Sequence, residues 1–199
     1  LDGTTIDVGQ FAAPEMVDLD RDNDLDLVIG ARNGRLYYYE NRGTVSNPLF
    51  KFVTDSLGYV DVRDFNQQQV NGSGFSVPTF IDSSGTYILY LGSESGRIFR
   101  YDDIDNNVMG TFTQTDTSYH DLFIGPRSGL SMADITGDGV DELIIGNYRG
   151  GLGFFQLEID NTGIDDLASI QVQVFPNPAS SQVIIRDGTH EIPYGTMLT

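Results

Sequence analysis

The chain repeats itself. Residues 13–39 (APEMVDLDRDNDLDLVIGARNGRLYYY), 77–101 (VPTFIDSSGTYILYLGSESGRIFRY) and 129–155 (GLSMADITGDGVDELIIGNYRGGLGFF) are three versions of one unit. In each, an apolar stretch ends in Asp (Asp18, Asp82, Asp134) and a polar loop follows. An apolar run then ends in Gly (Gly30, Gly92, Gly146), a second Gly stands four residues later (Gly34, Gly96, Gly150), and an aromatic-rich stretch closes the unit. A block of this size cannot bury an apolar face alone, so repeated copies must stack on one another.

The unit reads as strand, loop, buried strand, tight turn, strand. LDLVIG, YILYLG and ELIIG are short apolar runs rich in branched residues, as in strands covered on both faces. RNGR, ESGR and YRGG place Gly where a hairpin turn requires positive φ. A fourth strand fits at 48–56 (PLFKFVTDS) and at 110–118 (GTFTQTDTS), with 59–75 as the loop between units. The predicted fold is therefore all-β, a partial β-propeller of about three four-stranded blades over residues 1–157, the repeats lying at about 11–58, 76–118 and 128–157. Three blades do not close a ring, which implies further blades, upstream in a longer parent chain or from another chain. The first residue is Leu1, without Met or a signal-like segment, as expected of a processed or partial product.

Charge narrows the function. The formal net charge is −18, which repels nucleic acid and anionic lipid. There is no Cys, hence no disulfide scaffold, thiolate zinc site or Cys nucleophile. No apolar run reaches 18 residues, so no membrane-spanning helix is predicted. The carboxylates are not scattered: nine crowd into two loops. Loop one runs Asp18, Asp20, Asp22, Asp24, Asp26; loop three runs Asp134, Thr136, Asp138, Val140, Glu142, with Asp141 between the last two.

In both loops oxygen-bearing side chains fall at positions 1, 3, 5 and 9, and a turn-former (Asn23, Gly139) stands at position 6. Calcium takes six to eight hard oxygens, and alternate residues of a curled loop can converge on one ion. Position 7 (Asp24, Val140) would offer its backbone carbonyl. Five Asp in nine residues repel one another strongly without a cation, and magnesium demands a stricter octahedron. Loop two (Asp82-Ser-Ser-Gly-Thr86) carries one carboxylate and is expected to bind no ion. An EF-hand is excluded because position 12 is Ile29 or Ile145, within a predicted strand.

VDLDRDNDLDLVIG and ADITGDGVDELIIG resemble FG-GAP (VCBS-type) repeats, the calcium-loop blades of integrin-like propellers and of many bacterial surface proteins. YYYENRGTVSNPLF is similar to the blade-to-blade segment of that family, and the resemblance covers about residues 11–157. It implies a structural Ca2+ that ties the loop between blade strands.

Residues 158–169 read as an acidic linker, and Pro176-Asn-Pro178 then imposes an extended bend between alternating stretches. IQVQVFPNPASSQVIIRD resembles the start of the type IX secretion C-terminal sorting domain of Bacteroidetes proteins, a small β-sandwich-like domain present only in part at 170–199. The resemblance implies export through the type IX translocon, a sortase as partner, and a location secreted or on the outer-membrane surface of a Gram-negative bacterium.

No catalytic constellation stands out. His120 and His190 lie in no nucleophile or metal motif, and Ser128, Ser131 and Ser180 lack a nucleophile-elbow context. The chain itself is therefore expected not to be an enzyme. Two functions compete: an adhesion or ligand-binding module contacting glycan or surface protein, and the non-catalytic part of a secreted polysaccharide-degrading enzyme whose active site lies outside this chain; a scaffold with no ligand beyond calcium is the third. Tyr59, Tyr119 and Tyr148 are candidates to stack on sugars, although packing is the commoner role for Tyr.

Overall fold

In β2 (Asp26–Gly30) the side chains alternate between two apolar environments, and this alternation decides the architecture. Val28 points into a cluster shared with the second repeat, and Ile29 into a separate cluster with Val8 and Ala31. A strand covered on both sides has little use for polar residues, which explains the unbroken LVIG run. The computed structural model of the chain describes residues 5–63, 73–137, 139–156, 158–159, 165–166 and 172–173.

The protein is all-β, with three four-stranded antiparallel sheets and only two single-turn 3-10 segments (Leu57–Tyr59, Tyr119–Asp121) among the described residues. Sheet one runs in the order β1 (Ala13–Val17), β2, β3 (Leu36–Asn41), β4 (Phe50–Thr54). Sheet two runs β5 (Val77–Ser83), β6 (Thr86–Gly92), β7 (Ile98–Asp102), β8 (Thr113–Asp116). The expected fourth strands at 48–56 and 110–118 are thus β4 and β8. Both sheets carry the same register shift in the third strand, at Tyr38/Tyr39 and at Arg100/Tyr101.

Sheet three comprises β9 (Gly129–Ala133), β10 (Glu142–Gly146) and β11 (Leu152–Gln156). Its fourth strand does not follow directly. The short β12 (Glu158–Ile159) and β13 (Asp165–Asp166) instead pair with each other, inside the span read as a linker. β14 (Val172–Gln173) completes the sheet by pairing with Gly153 and Phe154 of β11. These two residues belong to the stretch that resembles a sorting domain; residues 174–199 lie outside the described residues, as does 64–72 of the inter-unit loop.

The sheets are joined by a repeated device. The Ser76 hydroxyl, just before β5, donates its one proton to Arg35 C=O (2.7 Å) in sheet one, with Ala31 C=O as a second acceptor within reach (3.1 Å), and accepts from Ala31 N–H (2.9 Å). Ser128, just before β9, does the same to sheet two: it donates to Arg97 C=O (3.2 Å) and accepts from Ser93 N–H (3.2 Å). A Cβ on Gly30 would lie 2.1 Å from Ser76 O, and one on Gly92 2.1 Å from Ser128 O. Glycine at the end of the second strand therefore sets how closely the next unit approaches. The space between sheets one and two is filled by Leu19, Val28, Leu36, Leu89, Leu91 and Ile104, among others; Tyr90, Ile98, Leu130, Leu143 and Ile145 fill that between two and three.

Candidate metal centre

Loop one is wound by its own carboxylates. Asp20 Oδ1 accepts Asp22 N–H (3.2 Å), Asp22 Oδ1 accepts Asp24 N–H (2.9 Å) and Asp18 Oδ2 accepts Asn23 N–H (3.1 Å). Arg21 (φ 66°) and Asn23 (φ 76°) take left-handed backbone, which lets the chain turn twice within a few residues. Asn23 thus fulfils the turn role read for position 6. One oxygen from each of Asp18, Asp20 and Asp22 comes within 4.8 Å of the others. Asp18 Oδ1 and Asp24 Oδ1 are buried atoms with no hydrogen-bond partner among the described residues.

Burial and crowding oppose charge here. Burial, then the neighbouring Asp22 charge, pushes the Asp20 carboxyl above its ordinary value, and the same two causes act on Asp24. A hard divalent cation would reverse both, supplying opposite charge and filling the vacant valences of the buried oxygens. The donor set, carboxylate oxygens without nitrogen or sulfur, fits calcium chemistry.

Position 9 plays a different part from positions 1, 3 and 5. Asp26 is 1% exposed and accepts Leu19 N–H (3.2 Å) and Tyr38 O–H (2.9 Å) on one oxygen and Asn41 N–H (2.8 Å) on the other. Burial raises its carboxyl, with those hydrogen bonds acting the other way. Glu142 is fully buried and accepts Ile135 N–H (2.7 Å), Thr136 N–H (3.2 Å) and Thr136 O–H (3.2 Å). Both carboxylates thus clamp position 2 of their own loop from below. That role was not read from the spacing, although an acid at the first residue of a buried strand is its signal.

In loop three, Asp134 Oδ2 accepts Gly139 N–H (2.9 Å) at position 6, as Asp18 Oδ2 does from Asn23 in loop one, but its Oδ1 also accepts Gly137 N–H (2.6 Å), whereas Asp18 Oδ1 has no partner among the described residues. Thr136 turns its hydroxyl to Glu142, Val140 is half-buried, and Asp138 lies outside the described residues. Loop two holds the unforeseen contact. Asp82 Oδ1 accepts Gly85 N–H (2.7 Å), and Oδ2 pairs with Arg21 of loop one at 2.5 Å. Arg21 also reaches Asp105 (2.9 Å) and lies 3.7 Å over the Tyr87 ring, while the Tyr87 hydroxyl donates to Asp18 C=O (3.0 Å). The guanidinium hydrogen bond holds the Asp82 carboxyl below its ordinary value. The cation at loop two is therefore a side chain contributed by loop one.

Of the residues weighed for other chemistry, Ser128 is the fully buried inter-sheet clasp described above, not an exposed nucleophile. Tyr119 is buried against Tyr90 (4.9 Å between ring centroids), whereas Tyr59 and Tyr148 stand exposed. Ser180 and His190 lie outside the described residues. No helix among the described residues is long and apolar enough to cross a membrane. Comparison with protein-family models, with curated proteins and with solved structures finds no match to this chain.

Proposed function

We propose that the chain is a secreted or cell-surface calcium-binding module, three blades of a β-propeller of the FG-GAP (VCBS) kind, that serves adhesion by binding glycan or surface protein. The carrying observation is the convergence of Asp18, Asp20 and Asp22 within 4.8 Å beside a buried, unpartnered Asp18 oxygen. The propeller reading is supported by three four-stranded sheets in sequence order, joined through the same Ser clasp and the same close-packed Gly. Calcium in loop one pins β1 to β2 and, through Arg21 and Tyr87, stiffens the contact with the next sheet. Its role is structural.

Calorimetric unfolding tests the calcium reading. Ca2+ at about a hundred times its dissociation constant adds about 2.7 kcal/mol of stability, and EDTA removes it. Unchanged melting at low ionic strength, with and without calcium, refutes it. Export is the second part of the proposal: the tail from residue 170 is an address read by the type IX translocon and removed by a sortase at the outer-membrane surface. It is supported by the VFPNPA motif alone. A reporter carrying residues 164–199, beside one carrying the parent gene's whole C-terminus, should leave a type IX-competent cell; retention of both overturns it.

A further inference from the structure

The acidic loops occupy one end of the sheets; the opposite end, where β1, β5 and β9 begin, is built differently. Two residues before each of these strands stand Phe11, Phe75 and Arg127, equivalent positions of the three units. All three take left-handed backbone, with φ of 61°, 46° and 54°. For bulky residues that conformation costs on the order of 1 kcal/mol or more each, and such strain gathers at ligand sites. Glycine would avoid the cost, yet these positions keep large side chains, and the strained backbone turns all three toward one point.

Phe11 and Phe75 meet edge to face, their centroids 4.3 Å apart. The Arg127 guanidinium lies 3.9 Å over Phe75, 4.6 Å over Tyr148 and 5.2 Å from the Phe11 centroid. Around them is a cavity of about 370 Å³ lined by Phe11, Phe75, Val77, Arg127, Asn147 and Tyr148. Phe75 is 5% exposed and forms its wall, whereas Phe11 (55%) and Tyr148 (70%) show open ring faces. Arg127 spends Nε on Glu94 (3.1 Å), which fixes the guanidinium plane and leaves its terminal nitrogens for a planar acceptor.

The charge distribution agrees. Of the eleven Lys and Arg residues, six (Arg32, Arg35, Arg63, Arg97, Arg127, Arg149) lie in the turns and connections of this end, away from the acidic loops. Open aromatic faces suit the C–H face of a sugar ring, and a stacked guanidinium suits a carboxylate. The volume accommodates one or two sugar rings. A peptide would need main-chain hydrogen-bond partners that this mostly apolar lining does not offer.

We propose that this cavity is a binding site for a carboxylate-bearing sugar at the end or edge of a glycan, with Arg127 reading the carboxylate and Tyr148 and Phe11 stacking on the ring. The proposal rests on the glycan-binding part of the function proposed above. Titration calorimetry would compare a tetragalacturonate with the same oligosaccharide after reduction of its carboxyls, in calcium and again in EDTA. The acidic form should bind at least tenfold more tightly. Arg127→Gln should erase that preference, and the exposed Tyr148→Ala should weaken both forms about fivefold with an unchanged circular dichroism spectrum. Equal binding of the two forms, a preference that survives Arg127→Gln, or equal binding of an Asp/Glu peptide of the same charge would overturn it. So would acidic-sugar binding that vanishes in EDTA, since the carboxylate would then be bridged by calcium. Binding retained in EDTA upholds the site even if calcium proves to have no effect on melting, so the two readings fail separately.

Discussion

Asp26 offers the sharpest test of how loop one is held. A residue that served only as a metal ligand would be dispensable without metal, and its removal would relieve repulsion. The geometry says otherwise: Asp26 accepts from Leu19 N–H, Tyr38 O–H and Asn41 N–H, linking the loop to the middle and the end of β3. Asp26→Ala leaves three buried donors without an acceptor, at about 1–3 kcal/mol each. Losses that share one network do not add fully, and removing the carboxylate also removes the cost of burying it. The expected destabilisation is about 3–5 kcal/mol, a large part of the roughly 5–15 kcal/mol that holds a domain together. Asp26→Asn keeps one acceptor oxygen in place and should cost about half as much. Urea titrations in EDTA, followed by circular dichroism, read both variants against the parent. An Ala variant within about 0.5 kcal/mol of the parent in EDTA would show that the clamp carries no weight and that the raised carboxyl is merely tolerated.

The other expectations follow from charge and from packing. Asp20, Asp24 and Asp26 carry carboxyls raised above the ordinary 3.8, burial being the largest cause in each. The folded state therefore binds protons more tightly than the unfolded one, and stability falls as pH rises through the window above that value. In EDTA the protein should melt higher at pH 5 than at pH 7, with calcium shrinking the difference because the ion competes with protons; a melting point that drops from pH 7 to pH 5 in EDTA contradicts this. The lowered carboxyls of Asp61 and Asp82 act in the opposite sense, and only as pH falls below about 3.8. Gly30→Ala and Gly92→Ala each drive a methyl onto a carbonyl of the next sheet and should cost about 1–3 kcal/mol. Gly146→Ala meets nothing closer than Leu152 Cδ2 at 3.6 Å and should be nearly neutral; equal effects at all three positions in denaturant melts would refute the packing account.

The repeat made most of the fold legible. Alternation and Gly placement located the three strands of each unit, and β4 and β8 followed from short polar–apolar stretches in the expected places. The outer strand of sheet three was not legible, because a pairing across the fifteen residues 157–171 that separate β11 from β14 leaves no local period. In loop one, the spacing placed Asp18, Asp20 and Asp22 together, since consecutive Asx-type turns have a fixed geometry. It could not separate them from Asp26, whose side chain is claimed by Tyr38 and Asn41, residues remote in sequence. Arg21 looked like one more loop residue; only the neighbouring sheet reveals its acceptors. Phe11, Phe75 and Arg127 were hidden for a similar reason, because two residue types at one repeat position conceal the equivalence that a shared backbone conformation makes plain.

The clasp between sheets has a direction. At both junctions the serine comes from the later unit, while the glycine it packs against and the carbonyl its hydroxyl meets come from the earlier, so the middle unit carries one half of each of the two joints. Whole units can then be gained or lost by duplication and deletion without inventing a new joint. A break inside a unit has no such licence, for it leaves a hydroxyl on one side or a bare glycine edge on the other.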